Sequence, residues 1–215
     1  MNMYKKYNWL MPSLLFTLSL ISIRVFKTQS IMFTFLAWNL FLGMLPLYFS
    51  LRCRHASSRS TMIAWLAVWL LFFPNSIYIV TDLFHLQERD EMPLWYDLVL
   101  LSSAAVNGIV YGMLSLHNIE RKLRHYTSRA KVDTIIFTAL FLCGYGIYLG
   151  RYMRWNSWDI ITSPLSLMQD VCYHVLHPVR NHSIWLLSGV FGVWMYLLYN
   201  LVRKTINKST YSKSI

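Results

Sequence analysis

Residues 62–85 read MIAWLAVWLLFFPNSIYIVTDLFH, and the fold turns on how this stretch is read. From Met62 to Thr81 it carries no charged side chain. A hydrocarbon layer about 30 Å thick takes roughly 20 such residues as a helix. Lipid offers the backbone no hydrogen-bond partner, so a crossing chain is a helix or a closed barrel. An unbroken apolar run without period-two alternation selects the helix.

The same template recurs outward from this stretch, at about residues 8–26, 31–51, 98–117, 132–150 and 183–202, beside the 62–81 span itself. The expectation is an all-α, polytopic bundle of six transmembrane helices forming one domain over residues 1–202, followed by a basic tail at 203–215. A composition of 56% hydrophobic and 13% charged residues excludes an ordinary soluble domain of 215 residues. In the first span Arg24 interrupts the apolar pattern and is expected to snorkel to the interface. Lys5 and Lys6 resemble a signal-peptide n-region, but no small-x-small cleavage pattern follows, so the span is expected to stay attached.

The net charge of +11 lies between the spans rather than in a soluble patch, which argues against nucleic acid as a partner. With six spans, one side receives fourteen of the twenty basic residues, among them Arg52, Arg54, Arg59, Arg121, Lys122 and Arg124. The other side receives seven of the nine acids. The positive-inside rule then places both termini in the cytoplasm and the long connections 82–97 and 151–182 outside. In the second of these, SPLSLMQDVCYHVLHP (residues 163–178) reads as one short interfacial helix. Ser163 and Pro164 suit its start and Pro178 its end. Leu165, Met168, Val171, Cys172, Val175 and Leu176 fall on one face; Ser166, Gln169, Asp170, Tyr173, His174 and His177 fall on the other.

Polar residues inside the greasy runs are the candidates for function. If the third helix continues past Pro74, then Asn75, Tyr78, Asp82 and His85 share one stripe that climbs to the outer surface. Pro74 itself frees a carbonyl and is expected to kink the helix. Such a ladder must face the bundle or a wet cavity, and it is read either as interhelical glue or as a site. Asp97 opens the fourth span at a favourable helix N-terminus. In the same span Ser103, Asn107 and Tyr111 share a face that could meet Asn75 and Tyr78. At the end of the fifth span, Arg151, Arg154, Asn156 and Asp159 follow GYGIYLG. The two arginines either snorkel beside Trp155 and Trp158, pair with Asp82, Asp97 or Asp159, or grip an anionic group.

In an enzyme, Asp82 or His85 would act as general base. The candidate binding set is Asn75, Tyr78, Asp97, Arg151, Arg154, Asn156 and Asp159. The Asp82/His85 and Asp170/His174/His177 spacings match helical ligand pairs, but no HExxH or paired CxxC is present, and no metal site is assigned. The sequence names no cofactor, and whether the protein is an enzyme stays open. The leading expectation is an outward-facing polar pocket that binds or acts on an anionic lipid headgroup or envelope precursor. The alternatives are a small-solute transporter or channel, for which no internal repeat is found, and a non-catalytic membrane partner of an envelope enzyme.

The strings LFFPNSIYIVTDLFHL, WYDL, LSLH and GIYLGRYMRWNSWD, in this order, resemble the bacterial membrane-protein family catalogued as domain of unknown function 1361. The resemblance runs from about the second span to the sixth. It implies a prokaryotic, multi-pass protein of the plasma membrane, and it implies no reaction.

Overall fold

The computed structural model describes residues 7–211, with side chains through residue 206. A short 3-10 turn, Asn8–Leu10, leads into α1 (Met11–Thr28), where Pro12 occupies a position whose N–H no helix needs. α2 is Phe35–His55, and α3, Arg59–Tyr78, is capped by Ser58, whose hydroxyl accepts from the backbone N–H of Thr61. A 3-10 segment, Ile79–His85, continues α3. α4 is Leu94–Leu123 and α5 is Arg129–Tyr152. Two short helices follow, α6 (Asp159–Thr162) and α7 (Pro164–Leu176), and then α8, His182–Tyr211. Six of these helices are long and apolar enough to cross a membrane. The chain is a multi-pass membrane protein of helical class.

α4 is the axis of the bundle. Over half (56%) of its most apolar stretch is buried, against 22% for α1, and it packs on α1, α2, α3, α5 and α8. One core layer, with Trp69, Phe73, Ile77, Leu116, Leu140 and Tyr199, joins α3, α4, α5 and α8. A second, with Ile21, Phe33, Leu36, Leu40, Leu100 and Leu101, joins α1 and α2 to the other side of α4. Lipid tails are as apolar as leucine, so close packing at small residues and polar contacts hold such helices together. A Cβ on Gly108 would lie 2.3 Å from the Ser76 carbonyl oxygen, and one on Gly144 2.8 Å from that of Ser188. The backbones of α3 and α4, and of α5 and α8, therefore touch.

The polar contacts correct several expectations. Arg24 does not snorkel: it is fully buried, its Nε and Nη2 donating to the two oxygens of Asp97 at 2.7 and 3.1 Å, with Phe33 across its face at 4.1 Å. Length decides this, because the fork reaches the carboxylate at the α4 N-terminus without leaving the helix interface. Asn107 and Ser103 turn away from Asn75 and Tyr78. Asn107 donates to Thr17 and Ser13 of α1, and Thr17 donates to Ser103. Hydropathy places residues 118–131 in a loop, yet α4 persists to Leu123 and carries Asn118 and Glu120 as buried groups. Glu120 accepts from Tyr199 and Arg124 and forms an ion pair with Arg203 at 3.0 Å, and Arg203 donates to Asp133. This cluster ties α4 to α5 and α8. The basic tail is helical through Tyr211; Lys5, Lys6 and Lys213 lie outside the described residues.

Candidate functional site

Pro74 shapes one end of the bundle. It removes the N–H that would bond four residues back, and nearby donors take up neighbouring carbonyls: Asn75 Nδ2 bonds Phe72 O at 3.0 Å and Ser157 Oγ bonds Leu71 O at 3.2 Å. The Asn75 amide also donates to Ser157 Oγ at 2.9 Å, which pins the chain after α5 onto α3. Gly146 and Gly150 make room for this contact. A Cβ at Gly146 would overlap the Pro74 ring at 2.6 Å, and one at Gly150 would press on the Tyr78 ring at 3.2 Å.

The contact leaves a cavity of about 200 Å³ bounded by α2, α3, α5, the chain after α5, and Leu167 of α7. Asn39, Asn75, Tyr78, Asn156 and Ser157 supply its polar wall, Trp38 and Trp155 its aromatic wall. Among the described residues the Tyr78 hydroxyl has no side-chain partner. The space lies below the 300 Å³ at which drug-sized ligands begin to fit.

The expected single stripe divides in two. After Tyr78 the backbone tightens to 3-10 geometry, in which residues three apart eclipse, so Asp82 and His85 no longer follow Asn75 and Tyr78 around the axis. Asn75 and Tyr78 line the cavity; Asp82 and His85 do not. The buried Asp82 carboxylate instead accepts from Asn39 Nδ2 at 2.8 Å and lies 3.8 Å from Arg151 Nη1. Arg151 also sits over the Phe84 ring at 5.5 Å. Asn39 therefore links the charge pair to the cavity wall. His85 Nδ1 lies 3.2 Å from the Asp82 carbonyl oxygen, not its carboxylate, and its ring rests on Phe35.

Asp97 stands apart, engaged by Arg24 and, at 3.7 Å, by Arg89. Arg154 is exposed, in left-handed conformation (φ 62°), immediately before Trp155. Asp159 accepts from the backbone N–H of Asn156 at 2.7 Å and from the Thr162 hydroxyl. The Asn156 N–H holds the Asp159 carboxyl below its ordinary range. Asp159 thus shapes the loop rather than the cavity wall.

α7 borders the same end through two polar contacts, Trp155 Nε1 to Asp170 at 2.9 Å and Tyr145 Oη with His174 Nδ1 at 2.9 Å. Of its polar face Asp170 and His174 turn to the bundle, while Ser166, Gln169, Tyr173 and His177 are exposed, as are Leu165, Met168, Val175 and Leu176. Among the described residues no group of three or more His, Cys, Asp or Glu side chains is placed to hold a metal ion.

Asn39 and Ser157 are the site residues that sequence reasoning passed over. Asn39 stood as an isolated amide in an otherwise apolar span, which is the signal that could have found it. The family model described as "Protein of unknown function (DUF1361)" matches residues 38–198. The chain belongs to this family. The matched region of this DUF1361 member begins at Trp38 of the cavity and includes every residue of its wall. No curated protein and no solved structure matches the chain.

Proposed function

We propose that this DUF1361 member is a plasma-membrane protein whose 200 Å³ cavity binds the polar head of an anionic lipid or envelope precursor. The observation that carries the reading is convergence. Two helices and a loop bring three amides, two hydroxyls and two indoles to one small space, with Asp82 one contact behind it and Arg151 two. Hydroxyls and amides suit the neutral part of a head, and the exposed Arg154, next in the chain to Trp155 of the wall, suits its charge. In this reading Asp82 is a positioning residue that orients Asn39 and Arg151. The charge asymmetry supports an outward-facing cavity, since the opposite end carries most of the basic residues.

The test is binding in nanodiscs of neutral lipid, read by native mass spectrometry against a panel of anionic phospholipids and lipid-linked envelope precursors. Losing one hydrogen bond is worth about 1–1.5 kcal/mol, close to tenfold in affinity. Tyr78→Phe and Asn75→Leu should each weaken the bound species about tenfold while the fold persists. Unchanged binding in both variants contradicts the proposal.

A further inference from the structure

The opposite, basic end carries a larger and differently built cavity. It occupies about 760 Å³ between the end of α2, the start of α3 and the end of α4, walled by Arg52, Arg54, Arg121, Ser58 and Thr61. Among the described residues, no carboxylate lies within 4 Å of Arg52, Arg54, Arg121 or Lys122. The other basic groups at this end contrast with them: Arg124 and Arg203 are both engaged by Glu120. Arg52 lies over ring faces, 5.4 Å from Trp65 and 6.0 Å from Tyr48. Arg54 donates to the Asn118 side-chain carbonyl at 3.5 Å. Lys122 Nζ donates to the carbonyls of Arg54 and Ala56 at 3.2 and 2.9 Å, which fixes the α2–α3 turn and keeps the cationic wall in place. Arg54 and Arg121 also face a second space, of about 220 Å³, with Lys122 and His125.

Tyr7, Tyr48 and Leu51 of this cavity also line an apolar groove of about 310 Å³ between α1 and α2, continued by Met11, Leu14, Met44 and Leu47. A cationic chamber thus opens into a hydrocarbon-lined groove along the membrane-spanning part of the same two helices. We infer that this composite site holds one anionic phospholipid, its phosphate among Arg52, Arg54 and Arg121 and one acyl chain between α1 and α2. Charge complementarity selects an anionic head, because a zwitterionic one would add its own cation to a wall of unpaired guanidinium groups. The groove selects a lipid over a free anion, which would leave it unfilled. The site lies at the other end of the bundle and does not rest on the reading of the outer cavity.

The experiment uses the full chain in phosphatidylcholine nanodiscs, with bound species counted by native mass spectrometry. The probes are phosphatidylglycerol and, separately, inorganic phosphate. The expected result is phosphatidylglycerol retained at least tenfold over phosphatidylcholine and not displaced by phosphate. The combined Arg52→Gln and Arg121→Gln variant should lower that retention at least tenfold, and Met44→Trp, which fills the groove, should lower it severalfold. Equal retention of the two lipids overturns the inference, as does full retention in the folded charge variant. Phosphate displacing the lipid completely, with Met44→Trp without effect, also overturns it and marks a site for a soluble anion. Should the charge variant not fold, the wild-type lipid comparison and Met44→Trp decide.

Discussion

Replacing Asp97 with leucine leaves Arg24 as a buried guanidinium with no carboxylate. In the native protein that group is fully buried, makes two hydrogen bonds to Asp97, and has Phe33 at 4.1 Å over its face. Arg89 cannot substitute: it is a second cation, 3.7 Å from the same carboxylate, and it is part-exposed and free to turn to water. Stripping one partner from a buried ion pair costs about 3–5 kcal/mol. The lower end, about 3 kcal/mol, is expected because Arg24 sits about one turn from the end of α1, so its stem can carry the charge toward water. Removing both charges, Arg24→Met with Asp97→Leu, replaces an ion pair by packed apolar groups and should fall within about 1 kcal/mol of native. Steric trapping in bicelles measures these unfolding free energies directly. A loss under about 1 kcal/mol in Asp97→Leu, or an equal loss in the single and double variants, refutes the argument that the pair holds α1 to α4.

Four further outcomes follow from named residues. Gly144→Ala puts a methyl 2.8 Å from a backbone oxygen that cannot yield, so α5 and α8 must part at a cost of about 1–3 kcal/mol. Gly189→Ala meets nothing within 4 Å and should leave the melting temperature unchanged or slightly higher. Asp159 has its carboxyl held down by the Asn156 N–H, so its contribution to loop order is fully present above the ordinary carboxylate value of about 3.9 and is lost as pH falls through the lower, folded value. Hydrogen exchange of the 153–162 segment, corrected for intrinsic rate, should be flat from pH 8 to 5 and rise only in strong acid; Asp159→Asn should remove that step. Cys172 is exposed on α7 while Cys53 and Cys143 are buried. A membrane-impermeant maleimide should therefore label intact cells at Cys172 alone, and labelling that needs permeabilised cells would reverse the proposed orientation.

The sequence displays what lipid demands and hides what helix packing chooses. Six spans are legible because each must cross a fixed thickness with few charges, and the ends of α7 are legible in Ser163, Pro164 and Pro178. Which face meets which neighbour is not written locally. Arg24 and Asp97 are 73 residues apart, and spacing within one helix cannot show that α1 rather than α3 packs against Asn107. Glu120 escaped notice because hydropathy ends a span where charges begin, although a buried charge engaged by Tyr199, Arg124 and Arg203 extends the helix past that point. The stripe from Asn75 to His85 assumed one helical period; the change to 3-10 after Tyr78 kept its first half in the cavity and sent Asp82 to Asn39 and Arg151 and His85 to Phe35.

The central claim is that the cavity walled by Asn75, Tyr78 and Trp155 takes a polar head. The most direct measurement is a near-atomic structure of the protein in nanodiscs of its native lipids. Headgroup density is expected within hydrogen-bonding distance of the Tyr78 hydroxyl and the Asn75 amide. A collapsed cavity, or one filled by acyl chain alone, would contradict it and leave the polar residues of α3 as the contacts that hold the bundle together.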